Sequence, residues 1–545
     1  METTIKKPSL ITGMIVGALV TAPLIAFFFL ADVLVGLPLL PFDLTDWSAR
    51  NLPGGVITFV IDTMVSIIRG LNLGRTDVVA KLAEQATGVI TLFGLGIVAG
   101  ALLFTLLKRV HRDQAFITGA VFGLVFGILM ALVSSSVNFS ATTSTAVNFI
   151  YIALMFVLWG VVVAWIYTDM TRLPVTAAET ATTAQQLDRR QFLVRVGGAT
   201  ATLTVVGAGL SALLAPQEEV IGTTVADTGG TGSDAQATAE AVVNDGKLQP
   251  APGTRAEYTP VNDHYLISIS TRYPIIDAAT WTLPITGLVD NPKTYTLDEL
   301  KAFESMDQTI TMACISNPLA GDLIGTTRWT GVSFQKVLDE IQPTAEGKFV
   351  RITAADGFDE IMELEVARQD ENVMLAYAWN DEPLTASHGF PLRVYIPNHY
   401  GMKQPRWITG MEVIPEWEEG YWVRRGWSKE AIMRATSVID TVATDAVYEQ
   451  DGASYVPIGG ISFAGPRGIS KVEISIDGGD WVEAQLRDPL SDRTWVIWRY
   501  DWAFVEGSHN FRVRCVDGSG EPQIESDAPV RPDGATGVHR VSSFL

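Results

Sequence analysis

Long apolar stretches without charged residues dominate the first 215 residues of the chain. A membrane-spanning helix needs about 20 apolar residues, and five stretches meet that requirement. They are 8–31, 85–107, two halves of 114–168 on either side of the polar turn 134–145, and 196–215. The pattern therefore predicts an all-α transmembrane bundle of five helices over residues 1–215. A shorter apolar run, 52–70, contains Asp62 and Arg69, and we expect an amphipathic helix at the membrane surface there.

Basic residues lie in the loops on one side of this predicted bundle. They include Lys6 and Lys7 before the first helix, a basic turn at 108–112, and further arginines between 172 and 190. Loops rich in Lys and Arg tend to stay in the cytoplasm. We therefore expect a multi-pass protein of the cytoplasmic membrane, with its N-terminus in the cytoplasm and residues 216–545 on the extracytoplasmic side.

A pair of arginines precedes the fifth helix. Arg189 and Arg190 stand in the segment Leu-Asp-Arg-Arg-Gln-Phe-Leu, and a weakly apolar stretch rich in Gly and Ala follows at 197–214. The pattern resembles a twin-arginine signal near 187–215, which implies recognition by the twin-arginine translocation machinery and export of a folded domain. Alternatively, the two arginines anchor the fifth helix at the cytoplasmic interface. Both interpretations give the same orientation.

Three segments of different composition follow the bundle. Residues 216–255 are rich in Gly, Thr, Ala and Asp and lack a large apolar cluster, which predicts a flexible linker. Over 256–430, strand-like runs alternate with short helical ones, which predicts an α+β domain. Over 431–545, short strand-like runs separated by turn signals predict an Ig-like β-sandwich. The sequence is therefore that of a multi-domain protein.

Charge and composition exclude several classes of protein. Residues 1–215 carry 13 Lys and Arg against 11 Asp and Glu, whereas residues 216–545 carry 26 against 49. A soluble cytosolic protein is excluded by the apolar half. Nucleic acid is excluded as a partner because phosphate binding needs clustered cations. Of the six histidines only His111 precedes residue 216, so bis-histidine haem in the bundle is excluded as well.

Cysteine usage narrows the candidates for chemistry. Cys314 and Cys515 are too few for a disulfide framework or a cysteine-rich metal site. Cys515 alternates in phase with Phe511 and Val513, which predicts a buried core residue. Cys314 instead follows an alternating strand and opens a loop of small and polar residues, where functional side chains usually lie. Cys314 is therefore the candidate thiolate for a metal.

Six segments of the second half occur in a specific order. They are Trp281–Asp290, Cys314–Asn317, Arg328–Val332, Leu375–Leu384, His388–Arg393 and Pro397–Lys403. Their order and spacing resemble the sulfite-oxidase-like family of molybdopterin-dependent oxidoreductases, over about residues 258–430. The sandwich that follows resembles the C-terminal dimerisation domain of that family, which implies a homodimer formed through it.

The resemblance implies a molybdenum cofactor, Mo-molybdopterin, with Cys314 as the sulfur ligand that the protein gives to the metal. A high-valent, soft-ligated metal is well served by thiolate. Arginine and histidine suit a buried phosphate as donors. For His264 a purely structural role is the alternative. The implied cofactor contacts are His264, Tyr265, Cys314, Thr353, Asp356, His388, Arg393, Gly401, Met402 and Lys403.

Departures from the family pattern bear on the substrate. The segment leading into the site reads Asp263-His264-Tyr265 where true sulfite oxidases have Arg-Asn-His, and Pro318-Leu319-Ala320 stands where they have arginine. Trp427 stands in a loop where they have tyrosine, and Arg424 is a nearby cation, so both are catalytic candidates. An aromatic wall with few cations favours a small molecule less charged than sulfite.

The sequence thus predicts a membrane-anchored, exported oxidoreductase that performs two-electron oxygen-atom transfer on a small molecule, with sulfite disfavoured. Two alternatives stay open: a reductase of a sulfoxide or N-oxide, and a membrane-tethered binding or assembly protein with a vestigial pterin site. Since no haem or quinone motif is present in the sequence, we expect a separate electron carrier, either a cytochrome or a membrane redox protein.

Overall fold

The computed structural model describes residues 8–137, 143–171, 181–214 and 247–545, without the side chains of 181–190 and 193. The described residues form two compact units, and each unit combines separate stretches of sequence. The first takes in Met1–Ile68, Val78–Glu219 and Ser268–Tyr273, as far as these are described; the second takes in Arg69–Asp77, Val220–Ile267 and Pro274–Leu545.

The described part of the first 214 residues is helical. Its helices are α1 (Leu10–Val35), α2 (Leu40–Asn51), α3 (Gly54–Gly70), α4 (Thr76–Leu107), α5 (Ala115–Ser135), α6 (Thr145–Met170) and α7 (Ala181–Leu214). Among the described residues, five helical segments are long and apolar enough to cross a membrane, and they lie on α1, α4, α5, α6 and α7. The prediction of five such helices is confirmed. Helix α3 coincides with the expected amphipathic helix, whereas α2 is not predicted by hydropathy.

Glycines bring pairs of these helices into close contact. A Cβ added to Gly160 on α6 would collide with the backbone of Gly119 on α5, and one added to Gly123 would collide with the carbonyl of Phe156. The same holds for Gly17 on α1, whose added Cβ would collide with the carbonyl of Gly96 on α4. Small residues at such positions let helix backbones approach, which is how apolar helices associate without a hydrophobic driving force between them.

Polar residues of the first unit hold the segment Ser268–Tyr273. Asp46 on α2 accepts hydrogen bonds from Thr271, whose backbone N–H lies 2.8 Å from the carboxylate. Lys81 on α4 donates to the carbonyl of Ser270 at 2.6 Å, and Arg272 pairs with Asp32 on α1 at 2.6 Å. This short segment comes late in the sequence, and its membership of the first unit is not visible in the hydropathy pattern.

The α+β part of the second unit contains one mixed and one antiparallel sheet in its described residues. The strands are β1 (Thr282–Gly287), β2 (Lys293–Thr296), β3 (Ser305–Ala313), β4 (Ile324–Ser333), β5 (Phe349–Ala354), β6 (Asp359–Glu363), β7 (Met374–Trp379), β8 (Glu382–Pro383), β9 (Arg393–Tyr395) and β10 (Ile408–Ile414). One sheet has the order β2-β1-β10-β5-β6, and the other has the order β3-β4-β7-β8 with β9 also paired to β7. The helices between them are α8 (Leu297–Lys301), α9 (Phe334–Ile341) and α10 (Leu364–Gln369).

The C-terminal part of the second unit is built from β-strands. They are β11 (Thr436–Val442), β12 (Tyr448–Gln450), β13 (Ala453–Phe463), β14 (Ile469–Ile476), β15 (Val482–Glu483), β16 (Gln485–Leu486), β17 (Val496–Ala503), β18 (Ser508–Asp517) and β19 (His539–Phe544). Two sheets, β11-β13-β17-β16 and β15-β14-β18-β19, share one apolar core that includes Trp498 and Phe511. Cys515 is buried in this core, in agreement with its alternation in the sequence. The Ig-like assignment stays a prediction.

Most of the predicted linker 216–255 lies outside the described residues, as do Lys6 and Lys7. Its last part, from residue 247, contacts the C-terminal strands. Arg255 forms a two-pronged ion pair with Asp440 on β11, with Nε and Nη2 at 3.0 and 2.6 Å from Oδ1. The chain is therefore anchored on the C-terminal sheet before it enters the α+β part.

Candidate active site

Cys314 lies directly after β3, in a tight loop. Its backbone N–H donates to the carbonyl of Leu323 at 2.9 Å, and its carbonyl accepts from the N–H of Asn317 at 3.0 Å. The Sγ atom is buried, 3.1 Å from the hydroxyl of Ser316. Burial raises the pKa of this thiol, against the opposing effect of the Ser316 hydrogen bond. A protonated, buried thiol is a poor nucleophile, and binding a metal cation is what makes it a thiolate.

Two imidazoles and two indoles form a cage near this loop. The rings of His264 and His388 are 5.9 Å apart, and Trp379 lies 4.5 Å from His388 and 5.2 Å from Trp329 between ring centroids. Burial lowers the pKa of His264 to about 3, so the ring is neutral at physiological pH. Among the described residues neither histidine Nε2 has a hydrogen-bond partner, although both atoms are buried. A buried polar atom left unpaired points to a bound polar group.

Arg393 is a buried cation at the start of β9. Its Nη1 donates to the carbonyl of His388 at 3.2 Å, and the guanidinium lies 4.7 Å from the ring centroid of Trp329. In the described part of the chain no carboxylate forms a salt bridge with it. Burial, followed by the nearby Arg406, lowers the pKa of Arg393 to about 9, which leaves it charged at neutral pH. An anion bound here would offset the cost of burying this charge.

Arg406 is a second guanidinium of the cage, and sequence reasoning missed it. It donates to the carbonyls of Ser387, at 3.0 Å, and Ile267, and it lies 4.4 Å from the ring of Trp407. It also contributes positive charge at Cys314, since it is among the groups that lower the pKa of that thiol. The sequence feature that could have identified Arg406 is its position three residues after Lys403, a predicted cofactor contact.

The turn Gly401–Lys403 contacts the cage through its glycine. A Cβ added to Gly401 would lie 2.6 Å from the hydroxyl of Tyr265, so only glycine fits against this buried tyrosine. Lys403 points elsewhere, because its Nζ lies 2.7 Å from the buried carboxylate of Glu360. Burial raises the pKa of Glu360, and Lys403 opposes that rise. The role of Lys403 as a cofactor clamp stays a prediction.

The other predicted residues lie around the periphery of the cage. Met402 and Trp427 are buried in one apolar cluster with the neighbours of Cys314 in the chain. Asp356 accepts a hydrogen bond from the N–H of Phe358 at 3.0 Å, and Thr353 is exposed on β5. Arg424 forms an ion pair with Asp359 at 2.5 Å. The described contacts therefore join His264, Tyr265, His388, Arg393 and Gly401 near Cys314, but not Thr353 or Arg424.

A segment from early in the chain completes the second unit near the cage. Arg75 donates to the carbonyl of Asn262 and to the carboxylate of Asp263, both at 3.2 Å. Asp77 accepts from the N–H of Leu266 at 2.9 Å. These contacts hold the backbone on both sides of His264 and Tyr265. No sequence signal could have found Arg75, since it lies 188 residues before its partner.

Comparisons with known proteins agree with this geometry. Residues 270–422 match the family described as the oxidoreductase molybdopterin binding domain. The uncharacterized oxidoreductase YuiH of Bacillus subtilis (strain 168) is 29% identical over 169 residues, which cover 29% of this chain and 83% of that protein. Sulfite oxidase of Arabidopsis thaliana is 25% identical over 330 residues, covering 50% of this chain and 82% of that protein. A putative protein-methionine-sulfoxide reductase subunit, YedZ1 of Azospira oryzae, is 29% identical over 153 residues, which cover 28% of this chain and 56% of that protein.

The cage fits such a cofactor. A molybdopterin carries a phosphate and a polar ring system, and the site offers a buried cation in Arg393 and unpaired ring nitrogens in His264 and His388. Gly401 keeps the space beside Tyr265 narrow, and Cys314 supplies a buried sulfur. Charge-assisted hydrogen bonds from Arg to phosphate are among the strongest available to a protein. These residues would hold the cofactor when it is bound.

Replacing Arg393 by Met tests this fit through two opposite effects. The cofactor-free protein should be as stable as the wild type or more stable, because a buried charge without a carboxylate is removed. The molybdenum content should fall by about tenfold or more, because hydrogen bonds to a charged group contribute about 1.5–3 kcal/mol. Thermal melts of the cofactor-free protein measure its stability, and elemental analysis of the purified protein measures its molybdenum content.

The matched control is Arg328→Met, since Arg328 pairs with Asp381 at the surface. It should leave the molybdenum content unchanged. A variant Arg393→Met that keeps its molybdenum but loses stability without the cofactor would contradict the assignment.

Three findings thus converge on one site. Cys314 is the buried sulfur of the loop after β3, the unpaired nitrogens and the buried guanidinium around it suit an anionic cofactor, and residues 270–422 match a molybdopterin-binding domain. The cofactor is therefore Mo-molybdopterin, and residues 270–422 are the molybdopterin-binding domain of a molybdenum-dependent oxidoreductase.

Proposed function

We propose that this chain is a membrane-anchored oxidoreductase that transfers an oxygen atom to or from a small extracytoplasmic molecule. The observation that carries the proposal is the buried cage around Cys314, with its cation and its unpaired nitrogens. A binding or assembly protein with a vestigial site would gain nothing from keeping Arg393 buried without a carboxylate, because an unpaired buried charge destabilises the fold.

When bound, the molybdenum centre would supply two-electron chemistry. The transferred oxygen atom comes from water when the substrate is oxidised and leaves as water when the substrate is reduced. The residues of the chain bind and orient this group. Arg393 is a donor for its polar atoms. His264 stays neutral because of its low pKa, and since its Nδ1 lies 3.4 Å from the carbonyl of Tyr265 and donates there, its Nε2 is an acceptor. The indoles of Trp329 and Trp379 exclude water from one side, which strengthens the polar contacts inside the cage.

Sulfite is a poor candidate for the substrate because the arginines outside the cage, Arg424 and Arg75, are already paired with carboxylates. Arg424 pairs with Asp359, and Arg75 pairs with Asp77 and Asp263. The loop after Cys314 reads Pro318-Leu319-Ala320 and offers no charge. A compact dianion needs several convergent cations to offset its desolvation. A less charged molecule does not need these cations.

A sulfoxide is the second, more specific candidate. The relative from Azospira oryzae is named as a putative protein-methionine-sulfoxide reductase subunit. In such a reaction the sulfoxide oxygen leaves as water, with two electrons from a separate carrier and two protons, and a thioether remains. The donor is expected to be a cytochrome or a membrane redox protein.

Steady-state assays of the purified full-length holoenzyme against sulfite, sulfoxides and N-oxides test the proposal. Artificial electron carriers, reduced for the oxides and oxidised for sulfite, supply or remove electrons. We expect kcat/KM for the best sulfoxide or N-oxide to exceed that for sulfite by about a hundredfold, since each missing charge-assisted contact contributes about 1.5–3 kcal/mol. Cys314→Ala should abolish turnover, and Cys515→Ala is the matched control. If sulfite were the best substrate of the panel, the proposal would be contradicted.

The orientation in the membrane is part of the same proposal. Five described helices are apolar and long enough to span a bilayer, and the loops rich in Lys and Arg favour a cytoplasmic N-terminus. Arg189 and Arg190 fall where side chains are not described. Their motif supports export by the twin-arginine translocation machinery, and the resemblance of residues 431–545 to a dimerisation domain implies a homodimer.

Protease added to intact spheroplasts measures this orientation. Residues 247–545 should be cleaved from outside, whereas a tag at the N-terminus should be protected. The double variant Arg189→Lys, Arg190→Lys should leave the second unit protected, because the exported domain would stay inside. A C-terminal domain protected in the wild type would contradict the orientation.

A further inference from the structure

We propose that the hydroxyl of Ser316 donates a hydrogen bond to the sulfur that Cys314 gives to the metal, and that this contact raises the reduction potential of the molybdenum centre. The inference rests on the proposed function, because it concerns the metal ligand of the same site. It adds a positioning residue to that site: Ser316 acts on the metal through Cys314 and does not contact the substrate.

The contact that carries the inference joins two side chains of one loop. The Oγ atom of Ser316 lies 3.1 Å from Sγ of Cys314, and among the described residues this hydroxyl has no other hydrogen-bond partner. Cys314 is 9% exposed, and Ser316 is partly buried beside it. A hydrogen bond to a sulfur shielded from water is stronger than the same bond in bulk solvent, because the effective dielectric constant is lower.

The hydroxyl is the donor once the sulfur binds a metal. In the metal-free protein the thiol and the hydroxyl can each donate, because both carry a proton. A cysteine ligates a metal as a thiolate, which has no proton to give and can only accept. The contact between Ser316 and Cys314 then becomes a charge-assisted hydrogen bond, which is stronger than one between neutral groups.

Backbone N–H groups of the same turn act in the same direction. Burial raises the pKa of the Cys314 thiol, and hydrogen bonds from the Ser316 hydroxyl and from the N–H groups of Ser316 and Ile315 oppose that rise. The sulfur therefore lies among several donors. The hydroxyl is the one that a substitution can remove.

The loop is closed by hydrogen bonds that do not involve the Ser316 hydroxyl. The N–H of Cys314 donates to the carbonyl of Leu323 at 2.9 Å, and the N–H of Asn317 donates to the carbonyl of Cys314 at 3.0 Å. The side-chain oxygen of Asn317 accepts from the N–H of Leu323 at 2.9 Å. Removing the hydroxyl therefore changes the surroundings of the sulfur and leaves the backbone of the loop in place.

A donor at the sulfur favours the reduced form of the metal. Each electron added to a thiolate-bound metal increases the negative charge on the sulfur, and a hydrogen bond to that sulfur stabilises the added charge. Hydrogen bonds to ligand sulfurs tune the potentials of iron–sulfur clusters and blue-copper sites in this way. Ser316 thus makes the centre easier to reduce, which suits a site that takes electrons from a separate carrier.

Redox titration of the purified full-length holoenzyme tests the inference. Mediators supply the electrons, and the electron paramagnetic resonance signal of the half-reduced molybdenum reports its first one-electron couple. Ser316→Ala should lower the equilibrium constant for that reduction about tenfold, in line with the smaller effects that partners of metal ligands have. A tenfold change shifts a one-electron potential by about 59 mV, here to more negative values. Ser316→Thr keeps the hydroxyl and should keep most of the wild-type potential.

The matched control is Ser333→Ala. Ser333 ends β4 of the same sheet, and its hydroxyl donates to the carbonyl of Glu371 at 2.7 Å. This variant loses a hydrogen-bonding hydroxyl of the domain without touching the sulfur, so its potential should equal that of the wild type. In Ser316→Ala the KM for the best sulfoxide or N-oxide should stay at the wild-type value, because the hydroxyl acts on the sulfur.

Equal potentials in the wild type and Ser316→Ala would overturn the inference. An equal shift in Ser316→Ala and Ser316→Thr, or a higher KM without a shift, would also overturn it. If sulfoxides or N-oxides are still turned over, these results leave the proposed function standing. A shift confined to Ser316→Ala, in an enzyme that turns over no member of the panel, would support the inference and contradict the proposed function.

Discussion

The site depends on one unfavourable feature, a guanidinium buried without a carboxylate. Arg393 is 6% exposed, and its described partners are a carbonyl, a thioether sulfur and an indole face. None of these neutralises the charge, and burial lowers its pKa without discharging it at neutral pH. Such an arrangement destabilises a protein unless an anion completes it. An anionic cofactor bound beside Arg393 would therefore stabilise the folded domain as well as supply its chemistry.

A single sheet brings the parts of the cage together. Cys314 follows β3, Trp329 lies on β4, Trp379 on β7 and Arg393 on β9, and all four strands belong to one sheet. Trp329 and Trp379 are direct partners in the register between β4 and β7. Because neighbouring strands place paired side chains a few ångströms apart, this register brings together the two tilted indoles against which Arg393 and His388 lie. Loops from elsewhere then supply Tyr265 and Gly401.

Local features of the structure can be predicted from the sequence, whereas contacts between residues far apart in the chain cannot. Charge-free stretches predict the five apolar helices because hydropathy is a local property. The order and spacing of six segments resemble a molybdopterin-dependent family and predict Cys314, His388 and Arg393 as cofactor contacts, since these residues lie within one domain. Arg75 and the segment Ser268–Tyr273 could not be predicted, because their partners are far away in the chain. Lys403 shows a subtler limit: its buried partner Glu360 is visible only in three dimensions.

The central claim is that Cys314 binds the molybdenum of a cofactor held in a cationic cage. X-ray absorption at the molybdenum edge tests it most directly on the wild type, Cys314→Ser and Cys515→Ser, where the buried Cys515 provides a matched substitution in the β-sheet core. We predict that Cys314→Ser alone loses one sulfur ligand at the metal, while the Cys515→Ser spectrum equals that of the wild type. Identical sulfur coordination in Cys314→Ser and the wild type, at equal molybdenum content, would contradict the account.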